Sequence, residues 1–126
     1  MDSETLLLRQ IHPSFVQNGR PTSQAFRPTP KDEKKLSVYD GERIKPKASW
    51  EHYTGILGFS SAGVMAVTNA ECAEQQLPVT ADGIPFPEHC FIDFSNLGKS
   101  GVEKAAKILA RCAIQRGWLY QGGEQS

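Results

Sequence analysis

Residues 89–118 read HCFIDFSNLGKSGVEKAAKILARCAIQRGW, and the period of their apolar positions changes part way along. Over the first six, Cys90, Ile92 and Phe94 alternate against Phe91 and Asp93, the period-2 pattern of a strand with one buried face. From Val102 onward the spacing lengthens to that of a helix, through Ala105, Ala106, Leu109, Cys112 and Ala113. Ser100 and Glu103 have the spacing of a capping box that would start this helix, and Gly117 is placed to stop it. A half-buried strand needs partners and a cover, so this stretch asks for a sheet with a long helix lying on it.

Working outward, the remaining elements fit that demand. Thr5 to Ile11, TLLLRQI, is read as a strand, although Leu7, Leu8 and Ile11 also share a helical face; His12 before Pro13 ends it. Leu36 to Tyr39 alternates as a strand and runs into the turn dipeptide Asp40-Gly41. Pro46 and Ser49 introduce a helix with Trp50, Tyr53, Ile56 and Leu57 as its apolar stripe and Gly58 as its stop. Gly63 to Val67 is wholly apolar, a strand covered on both faces. Thr68 with Glu71 then predicts a capped helix over 69–76. Residues 77–88, with Pro78, Pro85 and Pro87, read as an irregular crossing, and Trp118 to Tyr120 as a last short strand. The expectation is one α+β domain over residues 1–120, followed by a flexible tail at 121–126. Within it, a mixed or antiparallel sheet of four to five short strands packs against two to three helices in two layers, with a long ordered N-terminal loop.

Composition bounds what such a domain does. The chain has 126 residues, 39% hydrophobic and 22% charged, enough to bury a core without a staple. Fourteen basic residues balance fourteen acidic ones, so the net charge gives no support to nucleic acid as a partner and none to a membrane surface. The three cysteines, Cys72, Cys90 and Cys112, are odd in number and set among apolar neighbours, which suits reduced core thiols. The opening MDSETLLLRQIHP lacks the pattern of a signal peptide or a spanning segment, so the cytoplasm is the expected compartment. No paired His/Cys spacing predicts a metal, and no glycine-rich phosphate motif or G-x-S-x-G predicts a nucleotide cofactor or a hydrolase elbow.

The richest chemistry lies in the loop 18–35, which supplies Arg20, Thr22, Ser23, Arg27, Thr29, Lys31, Lys34 and Lys35. Arginine forks beside hydroxyls are what a phosphate or carboxylate needs, and Phe15 and Phe26 are placed to anchor the segment. The first functional reading is therefore a binding module whose loop, through Arg20, Thr22, Ser23 and Arg27, holds a protein partner or a phosphate-bearing ligand. The alternative is a small enzyme or toxin-like effector acting on a nucleotide or RNA, with His12 or His89 as acid or base and Arg20 and Arg27 clamping phosphate. His52, beside core-facing Trp50 and Tyr53, has no assigned role. Ser23, His89 and Asp93 can be written down as a serine triad, yet no spacing selects them. Lys99, Lys104, Lys107, Arg111 and Arg116 make the last helix basic on and around its polar face, which reads as solvated surface and complement to the helix dipole and only secondarily as a contact face for nucleic acid or an acidic protein.

Overall fold

The computed structural model describes residues 2–29 and 33–122. The chain folds as a small α+β domain around a six-stranded antiparallel sheet. In chain order the elements are β1 (Leu6–Ile11), β2 (Val16–Gln17), β3 (Arg20–Pro21), β4 (Lys35–Asp40), α1 (Pro46–Glu51) and β5 (Gly63–Thr68), then α2 (Asn69–Glu74), β6 (Val79–Thr80), β7 (His89–Asp93), α3 (Lys99–Arg116) and β8 (Tyr120–Gln121). Across the large sheet the order is β6-β7-β4-β1-β5-β8, every pairing antiparallel.

The alternation in β7 sends Cys90 and Ile92 into the main core, where Leu7, Ile11, Leu36, Val38 and Val67 of the neighbouring strands meet them on the same face. Over that face lies α3, burying Ala105, Ala106, Leu109, Ala110 and Ala113. The small alanines bring the helix axis close to the sheet and leave room for Phe26 and Phe94, both wholly buried. At its C-terminus α3 stops at Gly117, whose φ of 90° is the left-handed conformation glycine adopts at least cost. Its start differs from expectation. Gly98 is the N-cap, with no side-chain cap, and Ser100 falls inside the first turn. Leu97 packs on the core immediately ahead and brings the chain into the helix sooner than a Ser100 cap would.

The other face is also covered, so the expected two layers become three. Leu8, Tyr39, Val64 and Ala66 face away from α3, and Trp50, Tyr53, Phe86 and Tyr120 pack over them. β5 is buried at all six residues, as an all-apolar strand must be when helices lie on both sides. Gln10, 6% exposed, is a buried polar side chain on this face and is satisfied: its Nε2 donates to Ser49 Oγ (3.0 Å) and its Oε1 accepts from Ser61 Oγ (2.9 Å).

Further sequence expectations are revised by the edges and connections of the sheet. The sheet has six strands because β6 and β8 are two-residue edge strands, too short to carry a pattern, and β6 lies inside the crossing read as irregular. The α1 helix widens into a π-type turn over His52–Ile56. That extra residue rotates Ile56 off the apolar stripe and leaves it 75% exposed. The chain from Val16 to Pro21 is a hairpin, Val16 opposite Pro21 and Gln17 opposite Arg20, turned by Asn18 and Gly19 at φ 54° and 78°. Of the expected tail, Gln121 belongs to β8 and Gly122 N–H donates to the Ala62 carbonyl at 2.9 Å, while residues 123–126 lie outside the described residues.

The Thr68 capping box over α2 forms as its spacing predicts, with Thr68 Oγ1 accepting from Glu71 N (3.1 Å) and Glu71 Oε1 from Thr68 N (2.8 Å). The three thiols are free. Burial foremost, with nearby Glu71 and Cys112 adding, pushes Cys72 up to about 12, and burial with Asp40 and Asp82 pushes Cys90 up to about 11. Both side chains are sealed in the core, so a native-state titration with a thiol-specific disulfide reagent is expected to leave Cys72 and Cys90 unreacted at neutral pH, with all three reacting in denaturant. Fast native reaction at either site would show an opening of the core that this packing does not allow.

Among the described residues no helix is long and apolar enough to cross a membrane.

Candidate functional site

β1 and β4 part company at the centre of the sheet. Their ladder runs only through Leu7–Asp40 and Leu8–Tyr39, although β1 stays paired to β5 along its whole length and β4 to β7 from Lys35 to Tyr39. The next rung, Gln10 opposite Ser37, is not formed. Arg9 spans the split instead, its Nη1 donating to the Ser37 carbonyl at 2.9 Å and its Nε to the Ala25 carbonyl at 2.7 Å. Asp40 N–H donates toward β7, to Glu88, and Gly41 N–H toward β1, to Leu6. By strand alternation, Tyr39 and Ser37 therefore turn their backbone N–H and C=O groups toward β1 and the split.

A cavity of about 390 Å³ opens over this split, on the face away from α3. Its size falls within the range of small-molecule sites, which runs from about 300 to 1,000 Å³. Tyr53, Leu57 and Phe59 wall one side, from the π-type turn and its exit. Pro85 and Phe86 wall the other. The floor carries Arg9, Ser37, Tyr39 and His89. Phe59 is 57% exposed at the rim and stacks on Tyr53, with ring centroids 5.1 Å apart.

Two histidine pairs border the cavity. Tyr39 and His52 share a hydrogen bond, hydroxyl to Nδ1, at 2.8 Å, and Phe86 closes on both rings, 5.1 Å from Tyr39 and 4.6 Å from His52. Burial, with Tyr53 and Glu88 adding, raises the Tyr39 pKa well above its ordinary value, so the phenol keeps its proton within the hydrogen bond it shares with His52. His52, without a role in the sequence, is thus held by Tyr39 and Phe86.

The second pair is His89 with Asp82. His89 Nδ1 lies 2.7 Å from Asp82 Oδ1, and His89 Nε2 lies 3.1 Å from Ser37 Oγ. An ionised carboxylate only accepts, so the proton between His89 and Asp82 belongs to Nδ1, and in the neutral ring Nε2 is left as an acceptor facing the serine hydroxyl. Secondary structure sets up this line of three groups. His89 opens β7 opposite Tyr39, Ser37 lies two residues along β4 on the same face, and Asp82 comes back over the sheet end from the Asp82-Gly83 turn, where Gly83 N–H donates to the His89 carbonyl at 3.1 Å. The His89 side chain is 13% exposed and that of Asp82 27%, so the pair is partly shielded from water.

The other expected site residues are elsewhere. His12 follows β1, and its Nδ1 accepts from Ser14 N (3.0 Å) to cap the short turn Pro13–Phe15. Extending the β1–β4 register places His12 beside Lys35, which is roughly 13 Å along the strands and two strand spacings from His89. The two histidines therefore do not share a pocket. The basic segment lies on the α3 side of the sheet. Arg27 Nη2 faces Glu103 Oε2 of α3 at 3.7 Å, and Arg20 lines a shallow depression with Gln17, Asn18, Thr22 and Ile114. Thr22 is the N-cap of the turn Ser23–Phe26 and makes no side-chain capping bond. Lys31 lies outside the described residues. Of the paper triad, Asp93 accepts from Ser95 N at 2.8 Å and is not the carboxylate beside His89. Among the described residues no group of three or more His, Cys, Asp or Glu side chains is arranged to hold a metal ion.

No protein family, curated protein or solved structure was found to match this chain.

Proposed function

We propose that the protein is a small enzyme that carries out acid–base chemistry on a small, partly aromatic molecule seated in the cavity over the β1–β4 split, with His89 as the general base and Asp82 as the group that orients it. The observation that carries this reading is the short Nδ1–Oδ1 contact of 2.7 Å, which fixes the tautomer and turns Nε2 toward the cavity floor. Aromatic walls on both sides would hold a planar or branched apolar group, while Ser37, Tyr39 and His89 offer the polar contacts that orient it. Of the two readings the sequence offers, acid–base chemistry at His89 has this support. The loop reading has less: Arg27 is engaged by α3, and Arg20, Thr22 and Ser23 lie across the sheet from the cavity.

The test is turnover of a panel of chromogenic aromatic esters and phosphoesters by wild type, His89→Gln and Asp82→Asn, with the imidazole tautomer followed by nitrogen-15 NMR. The wild type should hydrolyse at least one panel member, His89→Gln should lose about 10²–10⁴-fold in kcat/KM, and Asp82→Asn should change the tautomer together with the rate. Equal turnover by wild type and His89→Gln, or a panel that is neither turned over nor seen to perturb the cavity resonances, would overturn the proposal.

A further inference from the structure

We infer that Ser37 is a covalent nucleophile and that the substrates are carboxylic esters or thioesters with an aromatic or branched acyl group. This rests on the reading of His89 as a base and adds the group it activates. Ser37 Oγ is 3.1 Å from His89 Nε2, within reach for proton transfer, and the line continues to Asp82 at 2.7 Å. The order nucleophile, imidazole and carboxylate is the one that activates serine on unrelated folds, and it is recognised by geometry rather than by sequence position.

Three further features favour attack from Ser37 over simple hydrogen bonding. Its side chain is exposed to the cavity, while its backbone is fixed between β7 and Arg9. Its N–H points into the split where the ladder has ended, placing a donor beside the position an attacked carbonyl oxygen would take. The Arg9 guanidinium, held against the Ser37 carbonyl, brings a positive charge to the same edge of β4. Tyr53, Phe59 and Phe86 then form the acyl pocket.

The chemistry balances with water as the only co-reactant. Ser37 Oγ forms a bond to the acyl carbon as its proton passes to His89 Nε2, and the carbonyl π pair moves onto oxygen. Collapse breaks the bond to the leaving alkoxide or thiolate, which takes the proton from His89. Water then attacks the acyl-Ser37 carbon, gives its proton to His89, and the carboxylic acid departs as Ser37 Oγ recovers that proton.

The experiment uses a biotinylated fluorophosphonate on the full chain, read by intact mass and peptide mapping. Wild type should gain one phosphonyl group, mapped to Ser37. Ser37→Ala should gain none while melting like wild type, and His89→Gln should slow labelling by at least about 100-fold. Ser37→Cys keeps a nucleophile, and its alkylation by iodoacetamide should be faster with His89 present than in the Ser37→Cys/His89→Gln double variant. Unlabelled wild type, a label mapped elsewhere, or labelling of Ser37→Ala would overturn the inference. If Ser37 stays unlabelled while His89→Gln still abolishes turnover, the nucleophile is wrong and the general base stands. If His89→Gln turns over like wild type, the reading beneath it is wrong.

Discussion

Phe26→Ala is expected to lower the unfolding free energy by about 3–5 kcal/mol, a large part of the roughly 5–15 kcal/mol that holds a domain of this size together. Phe26 is wholly buried and Ala25 beside it 1% exposed, in one cluster with Phe94 and the alanine face of α3. Their backbone is clamped as well, since Arg9 Nε donates to the Ala25 carbonyl at 2.7 Å. Removing the ring leaves a cavity under a short 3-10 turn, Ser23–Phe26, whose only inward side chains are these two. The surroundings have little with which to refill it. Urea unfolding should show a lower midpoint with an unchanged slope, and chymotrypsin should begin to cut after Phe15, within the same segment, under native conditions. A cost under about 1 kcal/mol would mean that the segment 13–29 is a detachable flap rather than part of the core.

That segment also shows where sequence reasoning runs out. Phe15 and Phe26 are recognisable as anchors because two aromatics in a polar stretch have nowhere to go but inward; Phe15 is partly buried against the core and Phe26 fully. The hairpin around them carries a clear local signal, Asn18-Gly19, hidden by strands of two residues with Pro21 in one of them. Long elements behave differently. β7 and α3 repeat a period over five or more residues and β5 is an unbroken apolar run of similar length, and length is what makes a pattern legible. The candidate site was half legible. His89 stands out as a titratable residue at a strand end, but its partners do not. Ser37 is an outward-facing position on a strand, and Asp82 sits in a turn dipeptide where aspartate needs no further reason. Only the β4–β7 register, which sets Tyr39 opposite His89, brings Ser37 beside the imidazole. The cavity depends on a ladder that ends early, a non-local event with no trace in residues 8–10 or 37–39 taken alone.

Arg116→Ala is expected to cost about 2 kcal/mol through a set of hydrogen bonds that the helix sequence presents as mere surface charge. Arg116 sits in the last turn of α3, where a cation suits the helix dipole, but its fork does more. Nη1 donates to the Ala66 carbonyl at 2.9 Å and to Glu71 Oε1 at 3.1 Å, and Nη2 to Glu71 Oε2 at 3.0 Å. The Ala66 carbonyl lies on the outer edge of β5 beyond the reach of β8, which pairs only with Gly63 and Val64. Arg116 therefore occupies an open sheet edge. Glu71 completes the Thr68 capping box with the same carboxylate, so one ion pair ties the end of β5, the start of α2 and the end of α3. Burial alone would raise the Glu71 pKa, but the Arg116 and Thr68 hydrogen bonds and the guanidinium charge outweigh it and hold the carboxyl below its usual value. A folded pKa below the unfolded one means stability that is present above the ordinary carboxylate range and lost as pH falls through the folded value. The gap between wild type and Arg116→Ala should accordingly be full at pH 7 and narrow as acid protonates Glu71. Arg116→Lys should not restore it, because an ammonium cannot span two carboxylate oxygens and a carbonyl in one plane. A double-mutant cycle with Glu71→Gln should give a coupling of at least about 1 kcal/mol. A gap that stays constant from pH 7 to pH 3 would instead assign the effect to lost packing of the arginine stem.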